Sequence, residues 1–423
     1  MTQRIDALAS RFESSFPADV PAWRTLGRES EFPLVDAAGN PFDLSVLWPA
    51  LAAGGGTVSR EGDVITTLDR PDVTFSSEVG RATVEVILPP CQDLYEMASR
   101  WDAAVGSLVD VAAAHGAFVL GYGIQPLARA ESTMMTPKRR YLALAEVIGP
   151  AWQWFSLTAS DQTHVSVGRT EVMAITDLTN LLVPVIIALC ANSPITAGAP
   201  SGFLSAREAT MGSIYAGTYR HGMPEGPSHT PLGWIGRTWS LDYLMHKQGE
   251  AVVPVGRPFG AWLSDQPHLT DAEAFEAWVW HDHYIWNSTR PRTRHGTVEL
   301  RSACQQPPGE TMAVAALSAG MVCAHAAIAR RVVATLGEAA WPLLRAWHRD
   351  VVVQGPHAPE PVAGLVDGIL ADCAEALDAR GRGEAAFLAP LVARWSARTN
   401  PALAALAAWE AGGAAELVRR FSL

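Results

Sequence analysis

The chain has 423 residues, 48% of them hydrophobic, which is enough for one large globular domain or two ordinary ones. Its formal net charge of −11, from 43 acidic and 32 basic residues with no dense block of Lys and Arg, argues against a nucleic-acid partner. Residues 1–16 have no apolar core, and the longest apolar run, 181–191, is too short to span a bilayer, so we expect a cytoplasmic protein with no membrane partner.

The predicted elements begin with strands and end with helices. Alternation of polar and apolar residues predicts short strands at 27–36, 63–69, 74–88, 117–123, 163–168 and 295–303. Helical spacing predicts helices at 93–116, at 174–191 with a kink or start at Pro184, and from 311 onward, including 361–378, 384–396 and 401–420. The Gly- and Pro-rich stretches 196–203 and 222–233 are predicted loops, the second long enough to be a mobile lid.

This order of elements favours an α+β fold with a mostly antiparallel sheet over an alternating βαβ plan. We expect a single catalytic domain over residues 1–423, with its site motifs within 26–305 and a helical region at 311–423. The five cysteines are an odd number without metal-ligand spacing, so reduced and mostly buried thiols are expected.

Acidic residues occur on several predicted strands among apolar neighbours. Glu29 and Glu31 are two residues apart and therefore share one face of a strand. Glu78 stands just before Gly80, and Glu85 interrupts a β-branched run. Each acid alone is most simply a solvated strand residue.

Two later strands repeat the pattern with other polar groups. Gln162, His164 and Ser166 alternate along one strand, and Glu299 and Arg301 alternate along GTVELR, residues 296–301. Residues at i and i+2 of a strand point to the same side of the sheet. The carboxylate and the guanidinium of GTVELR are therefore expected in the same space.

Two explanations of these charges remain open from the residues alone. If the strands belong to different surfaces, each acid is simply hydrated. If they line one concave sheet, five carboxylates would raise one another's pKa, and bound cations or basic groups would be needed. Carboxylates with one imidazole suit Mg²⁺ or Mn²⁺, and so many ligands indicate two or three ions and a polyphosphate substrate.

Basic residues fit the second explanation. Arg290 and Arg292 precede the Glu299 strand, and Arg207 ends the segment SAR. Arginine forks onto phosphate or carboxylate oxygens. Neither a GxxxxGK[ST] motif nor a GxGxxG motif after a strand is present, so a nucleotide would be held by metals and arginines rather than by a glycine loop.

Several motifs together resemble those of the glutamate–cysteine ligase superfamily, in its bacterial and plant type. The resemblance runs in the same order over about residues 26–305. Its motifs are GRESE (27–31), VEVILPPC (84–91) with Glu78 before it, GYGIQP (121–126), KRRY (138–141), QTHVSVG (162–168), NSP (192–194) with the SAR that ends in Arg207, and RPxxxxGTVExR (290–301).

The resemblance implies a curved, mostly antiparallel sheet that forms a funnel-shaped active site with helices packed outside. It implies Mg²⁺ or Mn²⁺ ligands at Glu29, Glu31, Glu78, Glu85, His164 and Glu299. It also implies that Arg301, Arg290 and Arg207 contact the phosphate or the substrate during catalysis.

The sequence departs from the family pattern at three positions that we predict to touch substrate or ATP. Arg28 stands inside the first motif, Gln125 replaces a His in the Gly-rich turn, and Ser166 replaces a second His after His164. Gln162 and Arg292 complete this group of candidates. The substrates are therefore less well specified by the sequence than the metal ligands.

The implied reaction is ATP-dependent amide formation through an acyl phosphate, with L-glutamate or another small carboxylate as donor and L-cysteine or another amino acid or amine as acceptor. Three functions stay open: a glutamate–cysteine ligase, the same chemistry on another acid or amine in specialised metabolism, and a related phosphotransferase or a nucleotide binder without catalysis. The helices at 311–423 are expected either to complete the core or to form the face of a homodimer.

Overall fold

The computed structural model describes residues 2–214, 220–249 and 251–423. Its strands are β1 (Leu26–Val35), β2 (Thr57–Glu61), β3 (Val64–Arg70), β4 (Val73–Ser77), β5 (Thr83–Cys91), β6 (Phe118–Val119), β7 (Asp161–Ser166), β8 (Ile195–Thr196), β9 (Ala199–Pro200), β10 (His221–Gly222), β11 (Asp242–Gln248), β12 (Ala251–Pro258), β13 (Trp286–Asn287), β14 (Thr289–Arg292) and β15 (Thr297–Leu300).

The helices surround a single large sheet. They are α1 (Thr2–Ser14), α2 (Trp48–Ala53), α3 (Leu94–Ala114), α4 (Arg139–Ile148), α5 (Val172–Leu181), α6 (Val183–Cys190), α7 (Ala206–Ile214), α8 (Pro231–Trp239), α9 (Phe259–Ser264), α10 (Asp271–Asp282), α11 (Ala313–Cys323), α12 (His325–Leu336), α13 (Ala340–Gln354), α14 (Leu365–Asp378), α15 (Ala389–Ser396) and α16 (Pro401–Phe421). Short 3₁₀ helices include Gly149–Ser156 and Glu384–Leu388.

The main sheet has the strand order β14-β15-β7-β1-β5-β4-β3-β2, with β6 paired to the end of β1. Every pairing within it is antiparallel. The predicted α+β class with a mostly antiparallel sheet and a helical C-terminal region is therefore confirmed.

The two faces of the sheet differ in chemistry, because side chains alternate along each strand. On one face, Phe32 of β1 packs against Trp101 of α3, with ring centroids 6.2 Å apart. Helix α11 covers the same part of the sheet beside β7. Glu29 and Glu31 point to the other face, which leaves that face free to form a polar site.

Most predicted elements are present with shifted ends. The helix predicted at 174–191 is two helices, α5 and α6, bent by 51° just before Pro184. The strand predicted at 117–123 is only the two residues of β6, because Gly121 and Gly123 pack their main chain against Gln306 and Cys304. All five cysteines are free, and only Cys323 is more than slightly exposed.

The lid predicted at 222–233 needs correction. Helix α8 begins at Pro231, and the amides of Ser228 and His229 donate to the Asp177 carboxylate at 2.8 and 2.7 Å. The loop predicted at 196–203 contains the small β8–β9 hairpin. The β11–β12 hairpin was not predicted, because the alternation is weak: β11 buries Tyr243, Leu244 and Met245 in succession, and β12 buries no residue.

No single helix in the described ranges is both long and apolar enough to cross a membrane. Two bent pairs pass by length and composition: α5 with α6, and α11 with the helices that follow it. Nearly all side chains of α5, α6 and α11 are buried in the hydrophobic core of the fold. Their apolar composition is explained by their position in the core.

Candidate active site

A cavity of about 360 Å³ opens on the polar face of the sheet. Carboxylates from β1 and β5 line its floor, and arginines from β14 and the end of β15 line one side. The opposite wall is aromatic and includes Trp152 and Phe155 of the 3₁₀ helix Gly149–Ser156. The cavity thus joins a charged end to an apolar end.

Backbone contact fixes the distance between the wall and the sheet. The turn between β4 and β5 passes so close to the 3₁₀ helix that a Cβ atom on Gly80 would lie 2.0 Å from the carbonyl oxygen of Ser156. Any side chain at residue 80 would therefore push the two segments apart. Glycine is required here by the close approach of two main chains.

Glu31, Glu78 and Glu85 form the first acidic cluster, with carboxylate oxygens all within 4.8 Å of one another. Antiparallel pairing puts Glu31 of β1 directly opposite Glu85 of β5. Burial and then repulsion from Glu78 raise the pKa of Glu31 to about 7, although Ser160 donates two hydrogen bonds to its carboxylate. Burial and the neighbouring carboxylates also raise the pKa of Glu85 well above its ordinary value.

Glu29, His164 and Glu299 form the second cluster, again within 4.8 Å. His164 of β7 lies opposite Glu299 of β15 in the ladder, and its Nε2 is 3.1 Å from Glu29. Burial acts to raise the pKa of Glu29, but His164, Arg292 and Arg301 outweigh it, so this pKa is lowered. Burial lowers the pKa of His164.

Three arginines surround the fully buried Glu299. Arg290 donates to it at 2.8 Å from the opposite position on β14, Arg292 lies 3.2 Å away, and Arg301 also donates to it. Arg301 donates in addition to the side chain of Gln162. Glu299 thus orders a cationic group at the edge of the cavity, and it faces His164 at the same time.

Arg207 approaches the same group from α7. Its guanidinium donates to the carbonyl oxygens of Arg301 and Ser302 at 3.1 and 3.2 Å, and its side chain lines the cavity. The structure therefore brings together four of the five arginines named from the sequence, together with Gln162. Their contact with a substrate stays a prediction.

Arg28, Gln125 and Ser166 do not line the cavity. The Arg28 side chain is fully buried on the opposite face, where it forms a two-pronged ion pair with Asp161 at 2.7 and 2.8 Å. Gln125 is buried and donates to the Ala82 carbonyl oxygen at 2.7 Å. Ser166 accepts a hydrogen bond from the amide of Thr25. We therefore correct the expectation that these three contact substrate: they support the strands and turns.

Several cavity residues were not predicted. Arg140 lies within the KRRY motif but was not singled out, and Glu208 directly follows Arg207. Both positions could have been found by extending a motif by one or two residues. His221 and His283 also line the cavity; the alternating histidines of WHDHYIW, residues 280–286, are a local signal for His283, and none identifies His221.

Chemically, the site can compensate negative charge at one end and pack aromatic rings against a ligand at the other. Four close arginines suit a phosphate or a carboxylate. The Glu31 cluster has the oxygen donors that Mg²⁺ prefers, and its raised pKa values show that a cation would relieve repulsion there.

A family model described as glutamate-cysteine ligase family 2 matches residues 25–353 of this chain. A protein of Rubrobacter xylanophilus, assigned provisionally as glutamate–cysteine ligase 2-3, is 27% identical over 308 residues, which is 72% of this chain and 70% of that protein. Glutamate–cysteine ligase of Haloferax volcanii is 26% identical over 291 residues, 68% of this chain and 66% of the relative.

Two solved structures are similar in fold. A bifunctional glutathione synthetase from Pasteurella multocida superposes with a TM-score of 0.54 at 12% identity, over 99% of this chain and 52% of the other, so this chain spans about half of it. Glutamate–cysteine ligase from Francisella tularensis, solved in complex with AMP, superposes with a TM-score of 0.51 at 11% identity, over 96% of this chain and 88% of the other. At these identities the likeness extends to the fold alone.

Proposed function

The chain belongs to glutamate-cysteine ligase family 2, and from that premise we propose that it joins a small carboxylate to an amine through an acyl phosphate, with ATP and Mg²⁺. As a member of that family it is an ATP-dependent carbon–nitrogen ligase. L-Glutamate is the first donor to test and L-cysteine the first acceptor, since those are the substrates named in its relatives.

One observation carries the proposal: the six acidic and histidine candidates fall into two clusters on one face of one sheet, beside four arginines. Five carboxylates scattered over different surfaces would need no compensation. Here four of the five line one cavity and Glu299 is buried at its edge among the arginines, which matches a polyphosphate substrate that is bound with cations.

The residues present fit divalent cations. Glu31, Glu78 and Glu85 would hold one ion, and Glu29 and His164 with Glu299 offer a second set of ligands. Bound Mg²⁺ would offset the phosphate charge of ATP. Because three arginines already contact Glu299, its second role is to hold those arginines in place.

The protein's own groups would position the reactants. Arg290, Arg292 and Arg301 line the cavity and would face the charge that grows on the transferred phosphoryl group. The donor carboxylate attacks the γ-phosphorus and ADP leaves, then the amine attacks the acyl carbon and phosphate leaves. Gln162 keeps Arg301 directed at the cavity by accepting from it.

We further propose that the chain acts as one catalytic domain in the cytoplasm, with no membrane or nucleic-acid partner. Helices α11–α16 would complete the core of this domain, since α11 packs on β7 and α14 packs on α11. A homodimer remains part of this proposal and is read out by the mass of the purified protein in solution.

The test is ADP release by the purified protein with ATP and Mg²⁺, first alone, then with L-glutamate, then with L-cysteine added, with products identified by mass. ADP together with a γ-glutamylcysteine mass supports a glutamate–cysteine ligase. ADP with another amide, found in a panel of acids and amines, supports the same chemistry on other substrates. ADP with a phosphorylated acceptor and no amide would overturn the proposal in favour of a phosphotransferase.

A further inference from the structure

Glu208 is a cavity carboxylate that belongs to neither acidic cluster. It lies on the first turn of α7, its side chain is only 3% exposed, and it lines the cavity on the side of the aromatic wall. A buried carboxylate needs a reason to stay charged. The two clusters already described do not supply one.

The groups packed around Glu208 keep it negative. Burial acts to raise its pKa, but the hydrogen bond and the charge of His348 on α13 outweigh this, with smaller help from His221 and Arg207, so the pKa is lowered to about 2. His348 Nε2 is 3.1 Å from the Glu208 carboxylate. The 3₁₀ helix Gly149–Ser156, which also packs on α7, carries no ionisable side chain.

The backbone makes room for this carboxylate. A Cβ atom on Gly222 would lie 3.1 Å from Glu208 Oε1, and Gly222 has a φ of +68°. The neighbouring Arg207 does not neutralise Glu208 through an ion pair, since its guanidinium donates to two main-chain carbonyl groups. Glu208 can therefore accept further hydrogen bonds from a ligand.

His221 stands beside it on β10. Burial lowers the pKa of His221 to about 4, so its ring is neutral at physiological pH. Its Nδ1 atom is buried and has no hydrogen-bond partner within the described part of the chain. A neutral imidazole next to a carboxylate suits a cation with several N–H donors.

We propose that Glu208 and His221 bind the ammonium group of the acceptor amine, and that the acceptor carries an apolar or aromatic carbon frame. This inference rests on the proposed ligase function. The apolar part follows from the neighbours: the Phe155 ring meets His221 edge-on at 6.3 Å and lies tilted by 49° against Trp286 at 5.1 Å, and both aromatic rings line the cavity. A metal ion is a poorer match, since neither residue belongs to a described cluster of three ligands.

Glu208 also gives one of the amine's protons a route out of the site. An ammonium R–NH₃⁺ and an acyl phosphate yield an amide, HPO₄²⁻ and one H⁺, while an N–C bond forms and the acyl C–O bond breaks. One of the two protons that nitrogen loses goes to the leaving phosphate. The other passes to the Glu208 carboxylate and leaves from there through the cavity.

The test uses two nucleophiles on the full-length protein with ATP, Mg²⁺ and L-glutamate, or whichever donor acid the panel above identifies. Hydroxylamine is neutral near pH 7.5 and needs no ammonium site, so hydroxamate formation reports acyl phosphate alone. Phenethylamine tests the acceptor subsite. In Glu208→Gln we expect hydroxamate formation within about 3-fold of wild type and a KM for phenethylamine raised about 30-fold, as for loss of one charged hydrogen bond. Glu416→Gln on α16, which removes the partner of Arg419 and Arg420 and does not line the cavity, is the control.

The outcomes separate the two proposals. No hydroxamate from wild type with any donor would overturn the ligase mechanism itself. Hydroxamate from both proteins with an unchanged KM for phenethylamine would overturn only the role of Glu208. A raised KM for the donor acid instead of the amine would also overturn it, because the ammonium bound there would then belong to the donor.

Should Glu208→Gln fail to fold, wild-type protein gives the same answer. Phenethylamine should inhibit hydroxamate formation in competition with hydroxylamine at a concentration at least about 10-fold below that needed for 2-phenylethanol, which has the same ring and no ammonium group. Equal inhibition by both compounds, or none by either, would overturn the inference.

Discussion

The two acidic clusters of the cavity have the same number of ligands and opposite electrostatics. Around Glu299, three arginines and a histidine compensate the carboxylates, and the pKa of Glu29 is lowered. In the Glu31 cluster the carboxylates face one another, and the pKa values of Glu31 and Glu85 are raised. The first arrangement is stable as a folded protein, whereas the second gains from a bound cation. We therefore expect the Glu299 cluster mainly to position the arginines and the Glu31 cluster mainly to bind metal.

The largest effect is expected for Glu299→Gln. It leaves three buried guanidinium groups without their shared carboxylate, which costs about 3 kcal/mol of stability and moves the groups that face phosphate. We expect ADP release to fall by about 10³-fold and Tm to fall with and without Mg²⁺. Asp372→Asn, which removes the Arg331 partner on the outer helices, should leave ADP release within about 2-fold. An unchanged Tm would contradict the positioning role.

Glu85→Gln should stabilise the protein, whereas Glu299→Gln destabilises it. Removing one of three repelling carboxylates raises the Tm of the protein without Mg²⁺, while the Mg²⁺ concentration for half-maximal activity rises about 10-fold or more. Thermal unfolding and a Mg²⁺ titration of ADP release measure the two effects. A lower Tm together with an unchanged Mg²⁺ requirement would remove the distinction between the clusters.

The pH dependence sharpens the same contrast. The pKa of Glu31 is about 7 in the folded protein against an ordinary 4.5, so its contribution to stability is greatest at pH values below 4.5 and is lost as the pH rises to about 7. Without Mg²⁺, the Tm should therefore fall between pH 5 and pH 8. With saturating Mg²⁺ the fall should be smaller, and an equal fall in both conditions would speak against a cation at this cluster.

The smallest effect on catalysis is expected for Arg28→Lys, on the other face of the sheet. Lysine cannot reproduce the two-pronged pair with Asp161, so the free energy of unfolding should fall by about 1–2 kcal/mol and the Tm should fall with it. The KM values for ATP and for both substrates should stay within about 2-fold of wild type. A change of 10-fold in any KM would contradict this and indicate that Arg28 contacts a substrate.

Sequence alternation accounts for most of what could be predicted. Glu29 and Glu31 share a face because they are two residues apart, and the same rule places Glu299 with Arg301. That rule, applied strictly, also puts Arg28 on the opposite face from Glu29, where the structure has it. The prediction that Arg28 touches substrate followed its place inside a motif and ignored the alternation.

Other parts of the site depend on contacts that a single sequence does not display. Gln125 is held by a carbonyl 43 residues away, and Glu208 by a histidine 140 residues away. His221 stands on a strand of only two residues, too short to leave a periodic signal. The resemblance to the family predicts the order of the motifs along the chain, but it does not identify the residues that contact Gln125 and Glu208.

The contact between Gly80 and Ser156 has a consequence for how this protein can diversify. Because two main chains touch there, the spacing between the acidic floor and the aromatic wall does not depend on the side chains of either. Trp152 or Phe155 can be exchanged for a smaller or larger residue without moving Glu78 or Glu85. New acceptors can therefore be accommodated by mutation of the wall while the nucleotide end keeps its dimensions, and the scaffold can serve a series of enzymes that differ only in the amine they accept.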